Sequence, residues 1–282
     1  MAIDSQKLQD WPFPVMTRHY TEDEAIRVAK GFGAGIPGAL SEQEAPFMSG
    51  RLAFPMMALA LADGEFWQSD PASGIDWKRI VHAEEMLTLH RPLPSQGTVT
   101  VMQRVAGVYD RGPERGAVMV QNQFLNDADG ALIARIDVTT ILKGDGGFGG
   151  KPYVTPEKVS IPEERATDAQ VSLRTPGNND DALYRLSADL AVAAHLPPGK
   201  AMLRGLGALG LAGRAVMALV CPGAPERLRR LGVRYTGALL TDEAVRLDLW
   251  RVAPGRAVFR LVAPERDVIV LNGGQVEFAA QA

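Results

Sequence analysis

The 282-residue chain has a single cysteine, only four histidines, almost no excess of charge and no long apolar run. With Cys221 alone, no intrachain disulfide can form, which excludes a disulfide-stapled secreted fold and fits a reducing compartment. Cys221 closes the apolar stretch Ala218-Leu-Val and reads as a buried structural thiol at a helix end, the alternative being a nucleophile. A formal net charge of -3 and an isoelectric point near 5.9 argue against a nucleic-acid partner, because such binding displaces counterions with clustered Lys and Arg. The densest basic stretch, Arg227, Arg229, Arg230 and Arg234, reads as a solvated helix face. No segment approaches the ~18 consecutive apolar residues of a membrane span, so no membrane partner is expected. The first residues lack a basic region backed by an apolar run, and Ala279-Ala-Gln-Ala282 is not a peroxisomal tripeptide; the expected compartment is the cytoplasm. His19 and His90 have no acidic or Cys cluster at ligand spacing, so no metal is expected.

The chain does have enough apolar residues, 46% against 22% charged, to bury a substantial core. Its length suits two domains of ordinary size. Between them, Gly144-Asp-Gly-Gly-Phe-Gly-Gly-Lys151 and then Pro152, Pro156 and Pro162 read as a connector. The division expected is therefore a first unit over 1–150, a linker over 151–175 and a second unit over 176–282.

The same order of signals recurs on both sides. In the first unit Thr21 and Glu24 form a capping box ahead of a helix. In the second, Asn179 precedes helix-periodic apolar residues. Alternating segments follow at 98–108, 116–125 and 131–142, and again at 231–235, 244–252, 257–264 and 268–278, joined by short turns that imply antiparallel meanders. Leu203–Val220 is apolar nearly all round and must be a buried helix, with Gly205, Gly207, Gly210 and Gly213 permitting close approach. Phe54–Ala62 is its weaker counterpart and contains Pro55. Each unit is thus an α+β module in which a curved sheet wraps one helix.

Four segments, in order, carry a resemblance. Val81-His-Ala-Glu-Glu-Met-Leu-Thr-Leu-His-Arg-Pro-Leu-Pro94, Gly146-Gly-Phe-Gly-Gly-Lys151, Tyr184-Arg-Leu-Ser-Ala-Asp189 and Leu203-Arg-Gly-Leu206 are similar to motifs of the MaoC-like, (R)-specific enoyl-CoA hydratases. The likeness, from about Tyr20 to Phe278, is to the hydratase domain of peroxisomal multifunctional β-oxidation enzymes. It implies a double hot-dog fold and an acyl-CoA thioester as substrate, with no other cofactor. It leaves open whether the protein works as a homodimer.

The reaction implied is reversible hydration of a trans-2-enoyl-CoA to a (3R)-3-hydroxyacyl-CoA. Water loses a proton as it attacks the β-carbon, the α-carbon gains one, and negative charge gathers on the thioester oxygen. A carboxylate and an imidazole suit the proton transfers, and backbone amides at a helix start suit the oxyanion. The family motif Asp-x-Asn-x-x-His places its Asp at Asp189, but this chain has Ala191 and Ala194 at the Asn and His positions, and His195 falls one residue late. By resemblance, Asp189 and His195 are the catalytic candidates, and His82, Ala83, Arg111, Arg204, Gly205 and Tyr235 are the substrate-binding ones. Structural alternatives stay open for each: a helix terminus for Asp189, exposure beside Pro197 and Pro198 for His195, strand packing for His82 and Tyr235, and solvated charge for Arg111 and Arg204. The motif substitutions also admit a catalytically silent acyl-CoA binder, and hot-dog folds admit a thioesterase.

Overall fold

The computed structural model describes residues 3–157, 159–177 and 199–280. Among them, ten strands form one antiparallel sheet in the order β1-β3-β4-β5-β2-β7-β10-β9-β8-β6. The first half supplies β1 (Met16–Tyr20), β2 (Ile80–Leu89), β3 (Gly97–Asp110), β4 (Ala117–Asn126) and β5 (Leu132–Leu142). The second supplies β7 (Leu228–Tyr235), β8 (Ala244–Ala253), β9 (Arg256–Ala263) and β10 (Val268–Phe278). The segment read as a linker contains a further strand, β6 (Ala169–Arg174), which pairs with β8 at the outer edge. The two half-sheets meet where β2 pairs with β7, Glu84 opposite Arg234 and Thr88 opposite Arg230.

This is a double hot-dog. Five helices accompany the strands among the described residues: α1 (Ser5–Gln9), α2 (Glu22–Gly31), α3 (Ser41–Met48), α4 (Met57–Ala62) and α5 (Gly205–Val220). The capping box is formed, with Glu24 N–H donating to Thr21 Oγ1 and Thr21 N–H to the Glu24 carboxylate. α5 packs on β6, β7, β8 and β10, while the shorter α4 packs on β3, β4 and β5. Pro55 stands two residues before α4, where its missing N–H and fixed φ do no harm. A single apolar core runs through both halves, and a smaller cluster of Ile3, Leu8, Val105 and Met119 holds α1 against β3 and β4. The cap predicted at Asn179 lies outside the described residues. No helix among the described residues is long and apolar enough to cross a membrane.

The basic stretch at 227–234 is not a helix face. Arg229, Arg230 and Arg234 lie on β7, which also departs from a regular strand. Leu228 and Leu231, three residues apart, are both buried because a register shift opposite Glu277 and Phe278 breaks the period of two. The Cys221 reading holds: the thiol is buried, and burial pushes its pKa up to about 11, so it is no ready nucleophile.

α5 needs more than apolar contact to be seated. At Gly210 a Cβ would overlap the Phe32 ring, so the helix touches the first half through an absent side chain. One turn on, the buried Arg214 donates from Nε to Glu44 Oε1 at 2.6 Å and from Nη1 to the Phe32 carbonyl at 3.0 Å. Glu44 Oε2 accepts in turn from Gly35 N–H at 3.1 Å. Arg214→Met, which strands the Glu44 carboxylate, should destabilise the fold by about 3–5 kcal/mol. Adding Glu44→Leu should recover more than half of that loss, as read from denaturation midpoints at constant slope.

Candidate active site at the start of α5

The site begins with an irregularity in β2. Along a regular strand, residues three apart face opposite ways. Between His82 and Glu84 the pairing with β5 slips by one, leaving Ala83 as the bulged residue, and His82 and Glu85 turn to the same side. His82 Nε2 comes within 3.6 Å of Glu85 Oε2. From β7, Tyr235 lays its ring 4.5 Å from the His82 ring, centroid to centroid, and donates from its hydroxyl to Glu85 Oε2 at 2.6 Å. Glu85 is buried, and the sequence offers no sign of it beyond one more carboxylate in an acidic pair.

α5 opens directly over this group. A Cβ at Gly205 would lie 2.9 Å from His82 Nδ1 and 3.0 Å from Tyr235 Cζ, so only glycine fits without displacement. No side chain caps the helix and its first turn has no acidic residue. Its first amide groups therefore lend positive potential to whatever sits before it. Arg204, the residue ahead of the helix, forms a two-pronged pair with Asp63 at 2.7 and 2.8 Å.

Before the helix start lies a cavity of about 180 Å³ lined by His82, Glu85, Arg204, Gly205 and Leu206, with Leu59 and Val138 as apolar wall. The remaining wall is amide-rich: Gln68, Gln103, Gln121 and Gln123, of which Gln68 donates to Gln121 at 3.2 Å. Of the binding residues expected from sequence, the structure brings His82, Arg204 and Gly205 to this cavity and packs Tyr235 against His82, with Ala83 at the bulge. Arg111 does not line it. It sits at the β3–β4 turn, where Asp110 accepts from the Gly112, Gly147 and Gly149 amides and clasps the Gly-rich connector. Asp189 and His195 lie outside the described residues. Glu85, Asp63 and the four glutamines were not expected, since their meeting depends on tertiary packing.

A family model, the MFE-2 hydratase 2 N-terminal domain, matches residues 41–144. 3-Hydroxyacyl-thioester dehydratase Y of Mycobacterium tuberculosis is 29% identical over 295 residues, covering 99% of this chain and 100% of that protein. A MaoC-like dehydratase of Phytophthora capsici superposes with a TM-score of 0.79 at 25% identity, over 98% of this chain and 99% of that one. The chain belongs to the MaoC-like hydratase and dehydratase family. Peroxisomal multifunctional enzyme type 2 of Drosophila melanogaster is 32% identical over 276 residues, 92% of this chain but 45% of that longer protein.

The electrostatics of the MaoC-like site favour neutral aromatic groups beside a carboxylate. Burial holds the His82 imidazole below its usual 6.5, opposed by Glu85 and assisted by the Arg204 cation. Burial, then the Glu85 charge, pushes Tyr235 well above 10, so its hydroxyl stays protonated. The depressed His82 value makes the native state reluctant to take a proton that the unfolded chain accepts near pH 6.5. Stability is then fully present above about 6.5 and declines as the pH falls through the lower native value. Denaturant titrations from pH 7.5 to 5 should show a steeper loss for the wild type than for His82→Gln. Equal slopes would mean that His82 titrates normally.

Proposed function

We propose that the protein catalyses the reversible hydration of a trans-2-enoyl-CoA to a (3R)-3-hydroxyacyl-CoA. The observation that carries this reading is the side-chain-free start of α5 at Gly205, facing a cavity that also holds an imidazole and a buried carboxylate. A thioester carbonyl placed before Gly205 and Leu206 would direct its growing negative charge at the helix start, where fixed amide dipoles stabilise it as the water adds. The thioester itself makes the β-carbon electrophilic, so the chemistry calls for no cofactor beyond the CoA substrate. Asp189 is proposed to orient the attacking water, as the family motif implies, and His195 is the imidazole nearest the motif's own position. The related proteins named as a 3-hydroxyacyl-thioester dehydratase and an enoyl-CoA hydratase in Mycobacterium tuberculosis support the same reaction class.

Following the absorbance of crotonyl-CoA and of longer trans-2-enoyl-CoAs, with free thiol measured in parallel, tests this directly. The enoyl band should fall without thiol release and the product should be the 3R alcohol. Thiol release would assign a thioesterase. Acyl-CoA that raises the melting temperature without turnover would assign a silent binder. Gly205→Ala should lower kcat/KM by about 10²-fold or more, because its methyl group would push His82, Tyr235 and the helix start apart and misplace the groups around the thioester. A Gly205→Ala variant with unimpaired turnover would remove the helix start from the mechanism.

A further inference from the structure

A proton-transferring imidazole needs a lone pair turned toward the reacting atoms, a fixed ring, and a nearby negative charge to favour its protonated form. His82 meets the last two, and an unpartnered ring nitrogen on a ring that borders the cavity answers to the first. Its Nε2 is enclosed and has no hydrogen-bond partner among the described residues, although the ring borders the cavity. The Tyr235 ring packs on one side, and the Gly205 backbone closes against Nδ1. Glu85 lies 3.6 Å from Nε2, and the Tyr235 hydroxyl locks the same carboxylate oxygen at 2.6 Å. Among the described residues, the other charged groups on the cavity wall are Arg204, engaged with Asp63, and Glu65.

We propose that His82 is the proton-transferring imidazole of the reaction, with Glu85 and Tyr235 as its positioning residues. The assignment rests on the hydratase reading above. Neutral Nε2 takes a proton from water while the water oxygen bonds to the β-carbon. The electrons of the α–β double bond shift toward the thioester, leaving an enolate at the start of α5. The imidazolium then returns its proton to the α-carbon and the carbonyl re-forms, so that H and OH are added with no net change at His82. The Glu85 carboxylate steadies the transient positive charge, while Tyr235 prevents it from turning away. The imidazole missing from the second unit's motif is thereby provided by the first unit.

The test separates kcat from KM on an enoyl-CoA that the wild type hydrates. His82→Gln should lose ~10²–10⁴-fold in kcat with KM little changed. Glu85→Gln removes the charge that favours the imidazolium, so kcat should fall by about tenfold or more and the acid limb of the pH–rate profile should move to lower pH. Glu85→Asp should restore part of the rate, and Tyr235→Phe should fall between these and wild type. NMR titration of His82 in wild type and Glu85→Gln reads the same downward movement without turnover, and so remains informative if His82→Gln folds poorly. An active wild type in which His82→Gln keeps its kcat, or in which Glu85→Gln moves neither the pH profile nor the His82 titration, overturns this assignment and leaves the hydratase reading intact. A wild type that hydrates no enoyl-CoA overturns the hydratase reading itself, and the role of His82 with it.

Discussion

The pairing of β2 with β7 is the contact on which the molecule depends. It fuses two half-sheets into one and covers two edges that would otherwise present unpaired N–H and C=O groups. It also fixes the register in which Tyr235 reaches Glu85, and therefore the geometry beside His82. Because side chains alternate along a strand, a slip of one residue at this seam would turn Tyr235 to the opposite face and dissolve the cluster.

The seam would not place a site without α5. That helix is buried along nearly its whole length, and its axis is set by a close approach at Gly210 and by the Arg214–Glu44 pair. An arginine in such surroundings is costly unless every donor and the opposing carboxylate are satisfied, and here both members of the pair hold backbone groups of the Phe32–Gly35 turn as well. Polar satisfaction thus orients a helix that apolar packing alone would allow to slide or rotate. Its start is consequently held at one point above the cavity.

Much of this architecture is legible in the sequence, for local reasons. Along β3 the buried Val99 and Val101 alternate with threonines, Thr21 and Glu24 announce their helix, and Leu203–Val220 is too apolar to lie anywhere but inside. What escapes reading are the places where a strand breaks its own period. The bulge at Ala83 brings His82 and Glu85 to one side, and the register shift opposite Glu277 and Phe278 buries both Leu228 and Leu231. Glycine 205 could be anticipated as a point of close approach, and His82 by resemblance. Glu85 could not, because a buried carboxylate is defined by partners that lie far along the chain. Arg111 was placed by analogy with a binding role, yet here it occupies a turn away from the cavity, where the local geometry is governed by Asp110 and the connector glycines.

Glu85 and Tyr235, joined by one short hydrogen bond, are 150 residues apart in the chain. Contacts of such separation form late, because loop closure must precede any gain from the pairing. As the chain emerges during synthesis, the first five strands can assemble while β2 still lacks its neighbour, leaving a long edge open to foreign strands. The second unit is therefore both the bearer of the helix start and the cover for its predecessor. Chemical competence and protection from aggregation arrive in the same folding event, when β7 docks.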